Sequence, residues 1–390
     1  TEYLFAVKRE KGRKTEELLP GILADIIKSL SFPRSMRWGY SDFRFARPIR
    51  WLLALYGKRT VKINCGKLKS HNFTYGHRFL SSGPIEVTDT ADYSKVLKEN
   101  YVILDHNERK EMIREQIDDV ARTINCKIMA NDKLLEEINF LVEYPTAFVG
   151  EFSELYLKVP PEVLITSMIQ HQRYFPVFAS DGSIMPKFVG VRNGTKYNLD
   201  VVIDGNQKVL KARLEDALFF FEEDTKKSLD SMALELGGIL FHERLGTMLD
   251  KAERLKNLAG LIGAQLSLKD DEKLKRAAYL CIADLVSSMV KEFPELQGIM
   301  GRHYANQSGE DQKISNAIYE HYLPRSATDD LPISDIGRVL SLAEKIDNIV
   351  GCFSIGIKPT GSQDPYALRR QAIGIVHIIL SSRIRIDLLG

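Results

Sequence analysis

The sequence has few cysteines, no long apolar run and none of the common catalytic or nucleotide-binding motifs. Its four cysteines lie far apart without a CxxC pair, which argues against a structural zinc site or a disulfide framework and indicates a reducing, cytoplasmic setting. No apolar run approaches the roughly 18 residues of a membrane-spanning helix, so we expect no membrane segment. Because GxGxxG after a strand, a phosphate-loop lysine, HExxH and GxSxG are all absent, the sequence gives no support to dinucleotide binding, zinc proteolysis or serine hydrolysis through these motifs.

The 390 residues are enough for two or three domains, each with its own core. Strand-like and helical patterns mix up to about residue 232, whereas from about 234 apolar residues recur only at helical spacing. We therefore predict an α+β protein with a strand and helix at 1–30, a mixed α/β domain at 31–232 and an all-helical domain at 233–390. The chain starts without Met inside a strand-like run, Tyr3–Val7, which indicates a fragment of a longer protein.

Apolar periodicity and turn residues place individual elements within these domains. The predicted helices include Thr15–Leu30 with Thr15 as its cap, Asn107–Ile124, Gly205–Phe221 and Pro365–Leu380. The predicted strands are Trp51–Tyr56, Arg59–Ile63, Leu141–Val149 interrupted at Pro145, and a hairpin of Tyr174–Phe178 with Ile184–Val191.

The net charge of +2 conceals a basic segment at residues 31–85, where eleven Lys or Arg face one acid, Asp42. Aromatic residues are interleaved with these cations, among them Trp51, Tyr75 and Phe79. Cations neutralise phosphates and planar rings stack on unpaired bases, so the pattern indicates nucleic-acid binding. Two alternatives remain open, a basic outer face over an aromatic core and a surface that docks on an acidic partner subunit. The candidate contacts are Arg34, Arg37, Arg47, Arg50, His77 and Arg78.

The last two of these belong to the run Thr74–Phe79, where a glycine precedes an imidazole, a guanidinium and a ring. This combination suits base stacking and phosphate contact, although a plain strand turn would have a similar composition.

A second candidate site lies at the predicted helix Pro365–Leu380, which Ser362 or Asp364 could cap. Arg369 and Arg370 fall near its N-terminus, where the helix dipole disfavours cations. A bound anion would explain them, and two solvated arginines are the alternative.

Four residues on separate helices, Asp284, His303, His321 and Asp347, have a spacing similar to that of the HD metal-dependent phosphohydrolases. Two ligand positions of that pattern fail. Ala283 precedes Asp284 where a histidine is needed, and Thr247-Met248 stand where the first histidine is expected. We therefore predict a degenerate site with neither metal nor catalytic residues, in which these four residues are structural. Asp284 borders an apolar face and needs a partner, for which an arginine of the last helix is a candidate.

Seven runs in order along the chain resemble the β subunit of bacterial glycyl-tRNA synthetase of the heterotetrameric type. They are Phe32–Trp38, Ala46–Trp51, Gly76–Phe79, Leu141–Pro145, Ala212–Ala217, Glu292–Gly301 and Pro359–Arg370. Two departures are Glu344, where the family usually has Asp, and Ile282, where it usually has Lys.

The resemblance implies a subunit that binds tRNA(Gly) and supports glycylation within an α2β2 heterotetramer. ATP, Mg²⁺ and glycine would bind on the α subunit, so no cofactor is expected in this chain. The resemblance also implies a mixed domain similar to the editing-type domain of the phenylalanine enzyme, then a degenerate HD-like domain. The family's opening segment and C-terminal anticodon-binding domain are missing from this sequence. A metal-dependent HD hydrolase, a trans-editing hydrolase and a purely structural scaffold for the α subunit are the alternatives.

Overall fold

The computed structural model describes residues 11–38, 44–129, 131–361 and 363–387. The chain forms two compact units, the first made of residues 1–150 and 173–206 and the second of 151–172 and 207–390. The protein combines helices with small sheets, as the α+β prediction required. The strand predicted at Tyr3–Val7 lies outside the described residues, and the three domain boundaries stay predictions. None of the helices in the described ranges is long and apolar enough to span a membrane.

The described elements are numbered here in chain order. The helices are α1 (Thr15–Ser29), α2 (Tyr93–Glu99), α3 (His106–Thr123), α4 (Asp132–Asn139), α5 (Pro161–Thr166), α6 (Leu199–Asp224), α7 (Leu229–Glu235), α8 (Met248–Gln265), α9 (Asp271–Leu280), α10 (Ser288–Glu292), α11 (Ile299–Gln307), α12 (Gln312–Glu320), α13 (Asp335–Ser354) and α14 (Leu368–Ser382). The strands are β1 (Leu52–Leu53), β2 (Leu55–Tyr56), β3 (Arg59–Thr60), β4 (Asn64–Cys65), β5 (Leu68–His71), β6 (Phe73–Thr74), β7 (Ile85–Glu86), β8 (Lys127–Ile128), β9 (Pro145–Glu151), β10 (Phe175–Phe178), β11 (Ile184–Asn193), β12 (Leu240–His242) and β13 (Gly246–Thr247).

Helix α1 begins at Thr15 as predicted, but Thr15 is its first helical residue and no side chain caps it. Glu16 and Glu17 in the first turn favour the helix instead, because carboxylates suit the positive end of the helix dipole. Ile22 and Ile26, which belong to the apolar stripe of this helix, are each about half exposed.

The basic segment folds into short strands rather than the longer ones predicted. Strands β1, β5 and β4 form one sheet in that order, while β2 pairs with β3 and β6 with β7. Val61, Ile63 and Cys65 are buried between exposed residues, which is the alternation of a sheet with one solvated face. Ser70 joins this core, because its Oγ donates to the Val61 carbonyl at 2.6 Å and accepts from the Ile63 amide at 2.7 Å.

A four-stranded sheet with the order β8-β10-β11-β9 forms the centre of the first unit. The predicted hairpin is confirmed as the antiparallel pair β10 and β11. Strand β9 begins at Pro145 instead of Leu141, because proline lacks an N–H and suits the first position of a strand. The Phe148 and Phe188 rings pack edge to face at 6.3 Å. Gly190 leaves room for them, since a Cβ there would lie 2.4 Å from Phe148 Cζ.

The second unit is helical, with α8 against α9 and α13, and α12 and α14 also against α13. The prediction of helices alone after residue 234 is wrong, because β12 and β13 form a small antiparallel hairpin. Gly246, the first residue of β13, has a φ of 82°, a left-handed conformation that glycine adopts without strain. The hairpin leads directly into α8, where Thr247 and Asp250 form a capping box.

Candidate nucleic-acid interface

The arginines of the basic segment are mostly free to meet a ligand. Arg34, Arg47 and Arg50 are exposed and form no side-chain hydrogen bond or ion pair within the described ranges. Arg37 is exposed as well. Arg59 is engaged differently, since its Nη1 donates to both carboxylate oxygens of Glu16 at 2.7 and 2.8 Å. Arg34, Arg47 and Arg50 therefore give this segment a positive charge that no acid of the described residues neutralises.

The turn after β6 is held in place by Asn100. The His77 amide donates to the Asn100 carbonyl at 2.9 Å, and Ser81 Oγ donates to Asn100 Oδ1 at 3.0 Å. Gly76 is required for this approach, because a Cβ there would lie 2.6 Å from the Asn100 carbonyl oxygen. The turn thereby fixes the backbone that carries His77, Arg78 and Phe79.

Two pockets of the first unit have Arg78 and Glu143 in common. We refer to the two pockets together as the Arg78 cleft. One pocket has a volume of about 540 Å³ and is lined by Arg50, Trp51, Tyr75 and Ser81 besides the shared pair. The other has a volume of about 360 Å³ and is lined by His77, Phe79, Phe140 and Asn193 besides the same pair. Four separate stretches of sequence thus line these two adjoining pockets.

Aromatic rings form much of the cleft wall. The Trp51 and Tyr75 rings are 4.7 Å apart with a 58° tilt, whereas Phe79 is 83% exposed and Phe140 64% exposed. The Arg78 guanidinium lies 5.5 Å from the centroid of the Phe79 ring, within the range of a cation–π contact. Large exposed rings beside an exposed guanidinium offer stacking surfaces and a phosphate contact together.

His77 differs from the other cleft residues because it is almost completely buried, at 2% exposure. Its Nδ1 accepts a hydrogen bond from the Phe79 amide at 3.3 Å, so the neutral ring carries its hydrogen on Nε2. Nε2 is buried and has no hydrogen-bond partner in the described part of the chain. His77 therefore presents an unsatisfied donor in the wall of the cleft.

The opposite wall is fixed by α3 and β11. Buried Arg109 of α3 donates to the carbonyls of Asn139 at 2.9 Å and Ile103 at 2.5 Å. Asn193 Oδ1 accepts from the amides of Glu143 and Tyr144 at 2.9 and 3.0 Å. These bonds hold the loop that carries Phe140 and Glu143 in one position. Sequence analysis missed Phe140 and Asn193, because nothing in the local pattern connects them with residues near 78.

The second predicted site, at α14, differs in its details. The helix begins at Leu368 rather than Pro365, and the Asp364 carboxylate accepts from the Leu368 and Arg369 amides at 2.8 and 3.0 Å. These amide bonds lower the pKa of Asp364. Asp364 therefore caps the helix from outside it, while Ser362 lies outside the described residues.

Arg369 and Arg370 both have partners within the fold, so a bound anion is not required to explain them. Arg369 donates to the Thr360 carbonyl, and Arg370 donates to the Arg325 carbonyl at 3.1 Å. Both arginines also line a pocket of about 440 Å³ together with Asp364, Ser326 and His377. A ligand-binding role for this pair stays a prediction.

Asp284 is fully buried, and its partners are backbone amides rather than an arginine of the last helix. Its Oδ2 accepts from Gly298 at 2.6 Å and from Gly301 at 3.0 Å, at the N-terminus of α11. Burial raises the pKa of Asp284 to about 6 despite these bonds. The carboxylate is a buried cap for α11, which is a structural role.

The other three HD positions are also engaged in local interactions. Asp347 pairs with Arg254 at 2.7 Å and Lys251 at 3.3 Å. His321 is buried with Nδ1 2.6 Å from the Ile318 carbonyl, and burial lowers its pKa to about 4. Nε2 of His303 lies 3.1 Å from Glu162 and helps to lower the pKa of that carboxyl to about 2.

The described ranges contain no group of three His, Cys, Asp or Glu side chains that could hold a metal ion. Sequence analysis missed Lys251 and Arg254, which face Asp347. The two residues are one helical turn apart at the start of α8, so they share a face of the helix. This spacing could have indicated a pair of cations facing a common acid.

Comparison with known sequences identifies the family. The model of a family described as glycyl-tRNA synthetase beta subunit matches residues 1–390. The glycine–tRNA ligase beta subunit of Syntrophomonas wolfei is 62% identical over 387 residues, which cover 99% of this chain and 56% of that protein. The corresponding subunit of Clostridioides difficile is 50% identical over 388 residues, again covering 99% of this chain and 56% of the relative.

The chain thus spans little more than half the length of these curated relatives. Its match to the family model is nevertheless end to end, and the alignment with the Syntrophomonas wolfei subunit covers almost every residue of the chain. The family resemblance inferred from seven short runs is confirmed: the chain belongs to the glycyl-tRNA synthetase beta subunit family.

Proposed function

We propose that this chain is the tRNA-binding part of a glycine–tRNA ligase β subunit and has no chemistry of its own. It binds tRNA(Gly) and supports ATP-dependent glycylation on the α subunit, in a cytoplasmic α2β2 heterotetramer. ATP and Mg²⁺ act as substrates on the α subunit. The observation that carries this proposal is the set of exposed, unpaired arginines of the basic segment, of which Arg50 lines the Arg78 cleft, in a chain of this family.

Electrostatics favours RNA as the ligand of the basic segment. Arg47 and Arg50 gain little from the fold, since no described acid pairs with them. A phosphate backbone would release bound counterions when it meets such groups, which makes binding both favourable and dependent on salt. Interleaved aromatic residues add stacking surfaces that a purely protein-binding basic patch would not need.

We also propose the finer fold assignments that the resemblance implies. The mixed part corresponds to the editing-type domain of the phenylalanine enzyme, and the helical part to a degenerate HD domain. Asp284, His321 and Asp347 each make hydrogen bonds or ion pairs within the fold. These contacts support a helical domain in which the HD positions have a structural role. They give no support to the alternative of an HD-type hydrolase, because Asp347 already pairs with two cations.

The proposed function predicts that tRNA charging and amino-acid activation can be separated. In the enzyme reconstituted with its α subunit, Arg47→Ala plus Arg50→Ala should raise KM for tRNA(Gly) about tenfold or more. ATP–pyrophosphate exchange with glycine should stay unchanged, since activation takes place on the α subunit. Arg369→Ala plus Arg370→Ala should also lower glycylation. Helix α14 should remain folded in this variant, because the Asp364 carboxylate still accepts from the Leu368 amide.

Steady-state charging and exchange assays on the same preparations test this proposal. The double variant Arg114→Ala plus Arg122→Ala, which removes two cations of α3 outside the basic segment, is the matched control. Unchanged KM for tRNA in the Arg47/Arg50 variant would contradict RNA binding by the basic segment and favour a scaffold for the α subunit.

A further inference from the structure

We propose that the Arg78 cleft binds one unpaired nucleotide of the RNA, with its base against the exposed rings and its phosphate on the arginines. The inference rests on the proposed function and adds a specific site to it. A nucleotide that is stacked and paired within a helix cannot enter a cleft, so the bound residue must come from a single-stranded part of the RNA.

The size of the cleft fits a small ligand unit. Its larger pocket, of about 540 Å³, lies within the range of clefts that enclose small molecules. Arg50 and Arg78 line this pocket on one side, and Trp51 and Tyr75 supply ring surfaces beside them. A cation next to an aromatic wall is the arrangement that a phosphate attached to a planar base requires.

Phe79 and Phe140 lie outside the core, where Phe140 stacks on His106 and Phe79 contacts His77 and Arg78. Both rings are mainly solvent-exposed, yet both line the smaller pocket of the cleft. The Asn100 and Asn193 hydrogen bonds fix the backbone of the turns that carry these two residues. Exposed rings on two sides of a pocket provide stacking surfaces for a base.

His77 supplies an independent indication of a ligand. Its buried Nε2–H lacks an acceptor within the described part of the chain, which leaves a polar group desolvated without compensation. The edge of a base carries carbonyl and ring-nitrogen acceptors that would satisfy it once the side chains that cover Nε2 move aside. Glu143, exposed at the junction of the two pockets, can accept from an amino or imino group of the same base.

The test compares Phe79→Ala with wild type, using tRNA(Gly) that carries 2-aminopurine in turn at each unpaired position. Stacking quenches 2-aminopurine fluorescence, so one position should be quenched on binding to wild type and not on binding to the variant. We expect Phe79→Ala to weaken tRNA affinity about tenfold and leave the salt dependence unchanged, because no phosphate contact is lost. Tyr197→Ala, which removes another exposed ring of the same unit, is the control and should behave as wild type.

His77→Phe provides a second variant, in which an aromatic ring is kept while the Nε2 donor and the Nδ1 acceptor of the Phe79 amide are lost. It should bind tRNA more weakly without a change in salt dependence. If tRNA binds the Phe79 variant with full affinity and the same quenching, the nucleotide site is wrong, although the proposed function stands. If Phe79→Ala instead weakens association with the α subunit alone, the cleft is a protein contact and the inference is also wrong. Absence of any tRNA binding by wild type would overturn both.

Discussion

Asp284 and His321 are buried titratable residues whose pKa values shift in opposite senses. Burial raises the pKa of Asp284 from 3.8 to about 6 and lowers that of His321 from 6.5 to about 4. Between these values the folded state keeps both groups neutral, while the unfolded state ionises them. Glu344, Lys345 and Lys251 act on His321 through their charges, but desolvation dominates its shift.

The two groups therefore give stability opposite dependences on pH. His321 contributes stability that is full above its unfolded pKa of 6.5 and is lost as pH falls through about 4. Asp284 contributes stability that is full below its unfolded pKa of 3.8 and is lost as pH rises through about 6. Each shift corresponds to at most about 3 kcal/mol of unfolding free energy.

Substitution by neutral residues should separate the two contributions. The loss of stability on acidification from pH 7 to pH 4.5 should be smaller in His321→Gln than in wild type. It should be larger in Asp284→Asn, because the compensating gain from protonated Asp284 disappears. Urea unfolding at several pH values measures both, and the same change of slope in the two variants would contradict the assigned burial effects.

Sequence analysis predicted a structural role for Asp284 but not its partners. A carboxylate beside an apolar face must find donors, and the sequence showed only that arginines were available. Its donors are amides at the start of α11, more than ten residues away, and a backbone N–H leaves no trace in residue type. The same reason explains why the carbonyl partners of Arg369 and Arg370 were not predicted.

At the scale of elements, the close approach of α12 to α13 depends on a glycine. A Cβ on Gly337 in the first turn of α13 would lie 1.9 Å from Glu320 Oε2 and 2.7 Å from Glu320 Cβ. Glu320 in turn accepts from the Ser334 amide at 3.1 Å, just before α13, so it cannot move without loss of that bond. The junction therefore has no space for a side chain at residue 337.

We predict that Gly337→Ala destabilises the protein by about 1–3 kcal/mol, as overpacking of a dense core does. The matched control is Gly205→Ala in α6, where the added Cβ meets nothing within 4 Å. That change should stabilise the protein by roughly 0.5–1 kcal/mol, since alanine favours a helix interior. Thermal unfolding of both variants tests the pair, and equal shifts in the same direction would disprove the packing argument.

Long periodic elements were predictable and short ones were not. Helices α3 and α6 and the β10–β11 hairpin follow from apolar spacing and a glycine turn. The β12–β13 hairpin has strands too short for any period to show. The start of α14 was misplaced because Asp364 satisfies its first amides from outside the helix, with Ala367 in a left-handed conformation between them.

At the scale of the whole molecule, the family was predictable from sequence and the cleft was not. Seven short runs in a fixed order were sufficient to indicate the family. The Arg78 cleft combines residues near 50, 78, 140 and 193, which come together only through the sheets and loops of the first unit. Charge and aromatic content led to the prediction of a nucleic-acid ligand, whereas the arrangement of the cleft could be seen only in the tertiary structure.

The central claim is that the basic segment binds the phosphates of tRNA(Gly), and the salt dependence of equilibrium binding tests it most directly. Affinity should fall steeply between about 50 and 200 mM salt, and Arg47→Ala plus Arg50→Ala should make the log–log slope shallower by about 1 to 2 units. The control Arg114→Ala plus Arg122→Ala should keep the wild-type slope. Binding that is insensitive to salt, or an equal change of slope in both double variants, would contradict the claim.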